Sequence, residues 1–146
     1  MSIDRAAMVA AIIRLTAEME RQFDALNAAD AALGDGDLGV TMTRGMRAIS
    51  GGVETLPEDL GMALMSCAQA FTKASGSSYG TLMATGLMAM AKALRGRTRV
   101  EASEISELVV LARDAMQARG KAELGGKTVL DSLDAVAGAV DRRAHV

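Results

Sequence analysis

Met8, Ile12, Leu15, Met19, Phe23 and Leu26 recur at steps of three and four residues, while no stretch of the 146-residue chain alternates with a period of two. The first spacing lays one apolar stripe along a long helix, and the lack of the second leaves no half-buried strand from which to build a sheet. The helical spacing then returns five more times. It runs through Val40 to Ile49, through Leu60, Leu64, Cys67 and Phe71, and through Tyr79, Met83, Gly86, Met90 and Leu94. It continues through Ile105, Leu108, Ala112 and Met116, and ends with Leu130, Leu133, Val136 and Val140. Boundary residues fit these stripes. Pro57 reads as a first-turn proline with Glu58 and Asp59 behind it, Ser103 as the cap of the fifth helix, and Thr128 with Asp131 as the cap of the sixth. Gly96 within "RGR" and Gly120 mark the ends of the fourth and fifth helices. Composition agrees: 50% of the residues are apolar, chiefly Ala, Leu and Met, and Phe23, Phe71 and Tyr79 are the only aromatic ones. Those residue types lose little entropy in a helix, whereas strands want β-branched and aromatic side chains. Short connections make successive helices antiparallel, so the expected fold is an all-α up-and-down bundle or barrel of about six helices, one domain over residues 1–146.

Charge excludes several partners. The formal net charge is −2 with both signs interspersed, which provides no basic field for nucleic acid or an anionic membrane. The stretch from Ala74 to Ala91 carries no charge, but its first half, "ASGSSYGT", is too polar and glycine-rich to cross a bilayer. Asp4, Arg5 and Arg14 interrupt the apolar run at the N-terminus, unlike a signal peptide. Cys67, alone and in a helical stripe, reads as a buried reduced thiol, and the expected location is the cytoplasm.

Glycines concentrate in three connections: "ADAALGDGDLGVTMTRG", "KASGSSYGT" and "RGKAELGGKT". In an up-and-down bundle these alternate connections share one end, which makes that rim the place to look for chemistry. Asp30, Asp35 and Asp37 carry short side chains on a glycine-permitted backbone, so three oxygen ligands can converge on a hard cation. The loop is not a Ca²⁺-binding EF-hand, because the bidentate Glu that closes such a loop is missing and Met46 and Arg47 occupy that region. Mg²⁺ fits better, since it takes a few carboxylates and fills its sphere with water and phosphate oxygens. The second connection adds the hydroxyls of Ser75, Ser77 and Ser78 and the N-terminus of a helix, both suited to phosphate. Taken singly, "GDGD" is a turn, the Ser-Gly run a loop, and "RGKAELGGKT" a flexible connector. Together the first two describe a Mg-nucleotide site. His145, in the terminal "DRRAHV", reads as part of a frayed end rather than as a general base.

"DAALGDGDLGVTMTRG", "ASGSSYGT" and "RGKAELGGKTVLDSLDA" resemble, in order and spacing, the nucleotide-binding L subunit or domain of the dihydroxyacetone kinase family, over Asp30 to Asp134. The resemblance implies an antiparallel helical barrel whose rim loops hold ADP or ATP through Mg²⁺. It implies that Asp30, Asp35 and Asp37 bind the metal, and that Leu38, Gly39, Val40, Thr41, Ala74 and Ser75 meet the phosphates. Ala115 and Leu124 fall on positions that line the adenine pocket. It further implies phosphoryl transfer to dihydroxyacetone or a related small keto-sugar held on a partner K subunit. The donor is either ATP or a phosphoryl carrier of the phosphotransferase system that recharges bound ADP.

Several positions depart from the family pattern. Leu38 stands where the family has His or Thr, Thr41 replaces an Asn, Thr72 and Lys73 replace a Gly pair, and Gly126 replaces an Asp. The family continues for roughly two more helices, so an apolar flank is expected beside the first and last helices, bordered by Ile12, Leu15, Leu133 and Val136, with self-association through it. A second reading, from a different class, is a non-catalytic interaction or regulatory module that uses this flank.

Overall fold

The structure, a computed structural model, describes residues 1–144; His145 lies outside them. Helices dominate, as the spacing predicts. α1 spans Arg5–Arg21, α2 Phe23–Ala31, α3 Leu38–Gly51, α4 Leu60–Ala74, α5 Ser78–Leu94, α6 Ile105–Gly120 and α7 Val129–Ala144. The expected long first helix is in two pieces, because the chain leaves helical geometry at Gln22, with ψ near 6°. Side-chain spacing carries across that break, which hides it from a periodicity argument. A short antiparallel pairing of β1 (Ser2–Ile3) with β2 (Val100–Glu101) adds what no alternating pattern announces, since each strand is only two residues long.

The helix starts are set by their caps. Asp59, not Pro57, precedes the first turn of α4, where its carboxylate accepts from the N–H of Met62 at 2.9 Å. Pro57 lies outside the helix, in the link between the 3₁₀ turn Val53–Thr55 and that cap. Ser103 does not cap α6 either: it sits inside a 3₁₀ turn, Ala102–Glu104, closed by a reciprocal Glu101 and Glu104 capping box. Two charged carboxylates satisfy that turn better than one hydroxyl does. Thr128 and Asp131 do organise the start of α7, with Thr128 Oγ1 accepting from Leu130 N at 3.3 Å.

Neighbours in the chain pack as antiparallel neighbours in space. Gly39 lies against α2 and Thr16 Oγ1 donates to Met46 O at 3.3 Å, so α1 and α2 run antiparallel to α3. Gly86 meets Met116 and Ala112, and Gly120 meets Leu82, which sets α5 antiparallel to α6. Ser106 Oγ donates to Ala137 O at 2.8 Å, and Arg113 pairs with Asp134 at 2.6 Å, which sets α7 on α6. The connections after α2, α4 and α6 therefore sit at one end.

Among the described residues, two clusters of buried side chains organise much of the core. Ile12, Met46, Ile49, Leu56, Ala63, Cys67 and Phe71 form one, and Leu60, Leu94, Val100 and Leu108 the other. Ile12, expected at an exposed flank, is 7% exposed and belongs to the first cluster. The reason is the direction of its side chain, which meets α3 and α4 at the inner wall of an apolar cleft rather than reaching the surface. Burial pushes the Cys67 thiol up to about 11, so it stays protonated and serves as packing.

Candidate functional site

The acidic turn is built by α2, α3 and the six residues between them. Asp30 lies in the last turn of α2, and its carbonyl accepts from Leu33 N at 3.2 Å and Gly34 N at 2.6 Å, curling the chain back over the helix end. Gly36, at φ +77°, turns the loop between the two following aspartates in a conformation that a side chain would disfavour. Asp30 Oδ2 then accepts from the N–H of Asp37 at 2.9 Å, which closes the turn. One ligand oxygen from each of Asp30, Asp35 and Asp37 lies within 4.8 Å of the others. The three expected metal ligands are thus brought together. Among the described residues, no lysine or arginine forms an ion pair with any of them.

That juxtaposition has an electrostatic cost. The Asp37 carboxyl is held above its ordinary range, first by the hydrogen bond it shares with Asp35, then by desolvation and by the charges of Asp35 and Asp30. A cation between them would relieve the repulsion.

Leu38, Gly39, Val40 and Thr41 form the first turn of α3, directly after the acidic loop. Gly39 and Thr41 are buried, and Thr41 N donates to Asp37 O at 2.9 Å. Asn27 of α2 also reaches this turn, its Oδ1 accepting from Gly39 N at 2.7 Å. Sequence reasoning missed Asn27, whose only signal is a polar residue three positions before Asp30.

Ala74 ends α4 and Ser75 follows it, 7% exposed, with its Oγ 3.1 Å from Ser77 Oγ. Ser77 caps α5 by accepting from Gly80 N at 3.0 Å, leaving Ser75 and Ser78 as the hydroxyls without a capping duty. At the third connection, Asp131 accepts from Gly125 N at 2.7 Å and Lys127 N at 2.8 Å. These N–H groups hold its carboxyl below the usual range and fold the "ELGGKT" segment onto the start of α7. Leu124, in that segment, is 46% exposed, and Ala115 is half-buried on α6. The two positions implied for an adenine pocket therefore lie on or after one helix, at the end of the bundle that carries the acidic turn. None of the described helices is long and apolar enough to cross a membrane.

Known proteins resemble this chain in sequence and fold. The family model for the DAK2 domain matches residues 32–145. The ADP-binding subunit DhaL of the PTS-dependent dihydroxyacetone kinase of Lactococcus lactis is 36% identical over 114 residues, covering 73% of this chain and 53% of that subunit. The ADP-binding subunit DhaL of the PEP-dependent dihydroxyacetone kinase of Escherichia coli is 29% identical over 135 residues, covering 90% of this chain and 63% of its own length. The crystal structure of the dihydroxyacetone kinase of C. freundii in its native form superposes with a TM-score of 0.80 at 28% identity, over 94% of this chain and 25% of that one. The chain thus spans about half the length of the Lactococcus subunit. With the matched segment running from the acidic loop to the last helix, and with a solved relative of the same helical architecture, the chain belongs to the DAK2 domain family.

Proposed function

We propose that this chain is the nucleotide-binding part of a dihydroxyacetone kinase-type phosphotransferase, holding Mg²⁺ with ADP or ATP on the rim formed by the acidic turn and the serine connection. The observation that carries this reading is the convergence of three carboxylates within 4.8 Å, with no ion pair to them among the described residues. The donor set fits the metal: three oxygens from Asp30, Asp35 and Asp37 leave room for water and phosphate oxygens, as Mg²⁺ prefers. Mg²⁺ bound there would neutralise phosphate charge and orient the transferring group. Leu38, Gly39, Val40 and Thr41 bring the positive end of α3 next to that position, and in this reading Ala74 with Ser75 supplies a backbone turn and a hydroxyl for the phosphates. Ala115 and Leu124 offer apolar surface for a base. Residues 1–146 act as one domain in this reading.

The phosphoryl acceptor is dihydroxyacetone or a related small keto-sugar, in keeping with the name dihydroxyacetone kinase that the bacterial relatives carry, and in this reading it is held on a separate K subunit. The donor is ATP or a phosphotransferase-system carrier, the assembly works in the cytoplasm, and the chain self-associates. Calorimetric titration with ADP, with and without Mg²⁺, tests the core of this. Binding that requires Mg²⁺ is the expected result. Absence of binding in both conditions would favour the second reading, a non-catalytic interaction module. The observation on that side is an apolar cleft of about 350 Å³ between α1, α3, α4 and α5, opening beside the half-exposed Leu15.

A further inference from the structure

Asp37 stands at the N-cap of α3 yet its side chain caps nothing. An aspartate in that position ordinarily accepts from the N–H groups two and three residues on, which here belong to Gly39 and Val40. Both of those groups donate instead to Oδ1 of Asn27, at 2.7 and 3.3 Å, across from α2. The close approach depends on Gly39: a Cβ there would collide with the carbonyl oxygen of Phe23 and stand 2.7 Å from Asn27 Oδ1. One turn further along α2, Asp30 takes the N–H of Asp37 itself. Two side chains of α2 therefore satisfy the backbone of the first turn of α3, and the Asp37 carboxylate is left to face Asp35 and Asp30.

We infer that Asn27 is a positioning residue: it caps α3 in place of Asp37 and so keeps the Asp37 carboxylate in the cation-binding set. The inference rests on the reading above, in which Asp30, Asp35 and Asp37 hold a divalent cation. Without the Asn27 amide, the N–H groups of Gly39 and Val40 lose their acceptor. The Asp37 carboxylate is then the acceptor within their own helix turn. It rotates into the cap, the helix stays formed, and the cation loses one of its three carboxylates.

The test uses the full chain, Mn²⁺ alone as the probe, and amide hydrogen exchange as a readout independent of metal. Asn27→Ala weakens Mn²⁺ binding by roughly 10- to 100-fold, the range found when a group that orients a metal ligand is removed. Asn27→Asp, which keeps an acceptor of the same reach, retains binding at or above the wild-type level. Exchange at Gly39 and Val40 stays protected in Asn27→Ala, where Asp37 takes over, and in Asp37→Ala, where Asn27 remains. Protection is lost only when both substitutions are combined. A role confined to general stability would not produce that pattern. Wild-type Mn²⁺ affinity in a folded Asn27→Ala protein overturns the inference, and so does loss of protection in Asp37→Ala alone. Should Asn27→Ala fail to fold, the Asp37→Ala exchange result still decides which residue caps. Wild-type protein that holds no Mn²⁺ overturns the site reading and this inference with it, whereas a failure confined to the Asn27 variants leaves the site reading standing.

Discussion

Asp35 and Asp37 face each other across Gly36, and their mutual hydrogen bond and charge hold the Asp37 proton more tightly than an isolated aspartate would. Asp35→Asn or Asp37→Asn should abolish Mg²⁺-dependent nucleotide binding while the circular dichroism of the helices stays nearly unchanged. The loop is exposed at both positions, so a metal ligand is lost and no core contact is. Calorimetry that returned wild-type affinity would reassign those carboxylates to turn formation. A second residue carries the opposite sign. Thr43, 4% exposed on α3, has an Oγ1 with no hydrogen-bond partner among the described residues. Thr43→Val removes an unsatisfied buried hydroxyl at constant shape and nearly constant helix propensity, and should raise stability by about 1 kcal/mol. Thermal unfolding that showed a loss would mean the hydroxyl has a partner in solution. At this scale the convergence of the three aspartates is legible in the sequence, because short acidic side chains on a glycine-rich loop next to a helix end can reach one another. Asn27 is not legible, because its value lies in reaching Gly39 and Val40, twelve and thirteen residues away, which only the packing of α2 on α3 determines.

Between elements, the junctions carry more information than the stripes. The first turn of α4 is fastened to the end of α5 by Asp59, which accepts from Met62 N and from Gly96 N at 2.8 Å, and by Leu60 N donating to Arg97 O at 2.7 Å. Gly61 makes that approach possible: a Cβ there would stand 2.5 Å from Arg95 N and 2.6 Å from Ala91 O. Backbone atoms cannot move aside as a flexible side chain does, so Gly61→Ala should destabilise the fold by roughly 1–3 kcal/mol in urea unfolding. The α5 to α6 junction is held by charge. Glu104 accepts from both Arg97 Nη atoms, at 2.8 and 2.9 Å, and from Glu101 N at 2.8 Å, which lowers its pKa from 4.5 to about 2. A depressed carboxylate pKa means its stabilising contribution is present above the unfolded value of 4.5 and is lost as pH falls through the folded value of about 2. An NMR titration of the Glu104 carboxyl should therefore show its midpoint near 2 in wild type and displaced upward in Arg97→Ala. Equal midpoints would show that the ion pair does not persist in solution. Helix stripes were readable from spacing because each helix buries one face. The break at Gln22, the Glu101 and Glu104 box and the exclusion of Pro57 from α4 were not, because each depends on which competing polar group wins a backbone donor.

For the whole molecule, the question is what a series of helices packed neighbour on neighbour does with its ends. α1 packs on α3 and α7 packs on α6, so these two helices stand at opposite ends of the series in which neighbours touch. Both keep apolar side chains in water: Ile13 is 52% and Leu15 51% exposed on α1, and Val136 is 47% exposed on α7. Leu15 also lines the cleft shared with Met19, Met83 and Leu87, so its exposure continues an apolar surface that reaches toward the core. Scattered apolar residues on a surface are ordinary, whereas a connected patch that opens into an apolar cleft is the pattern of an interface. The chain should therefore self-associate, with a scattering mass that rises with concentration through contacts that include Leu15. Leu15→Lys places a charge at a half-exposed position and should return a monomer with its helical signal retained. Leu130→Lys provides the contrast, because that side chain is 2% exposed and a charge there should unfold the protein. A wild-type mass that stays monomeric at every concentration, with little binding of a dye specific for apolar surface, would show that the patch is closed by side-chain adjustment within one chain.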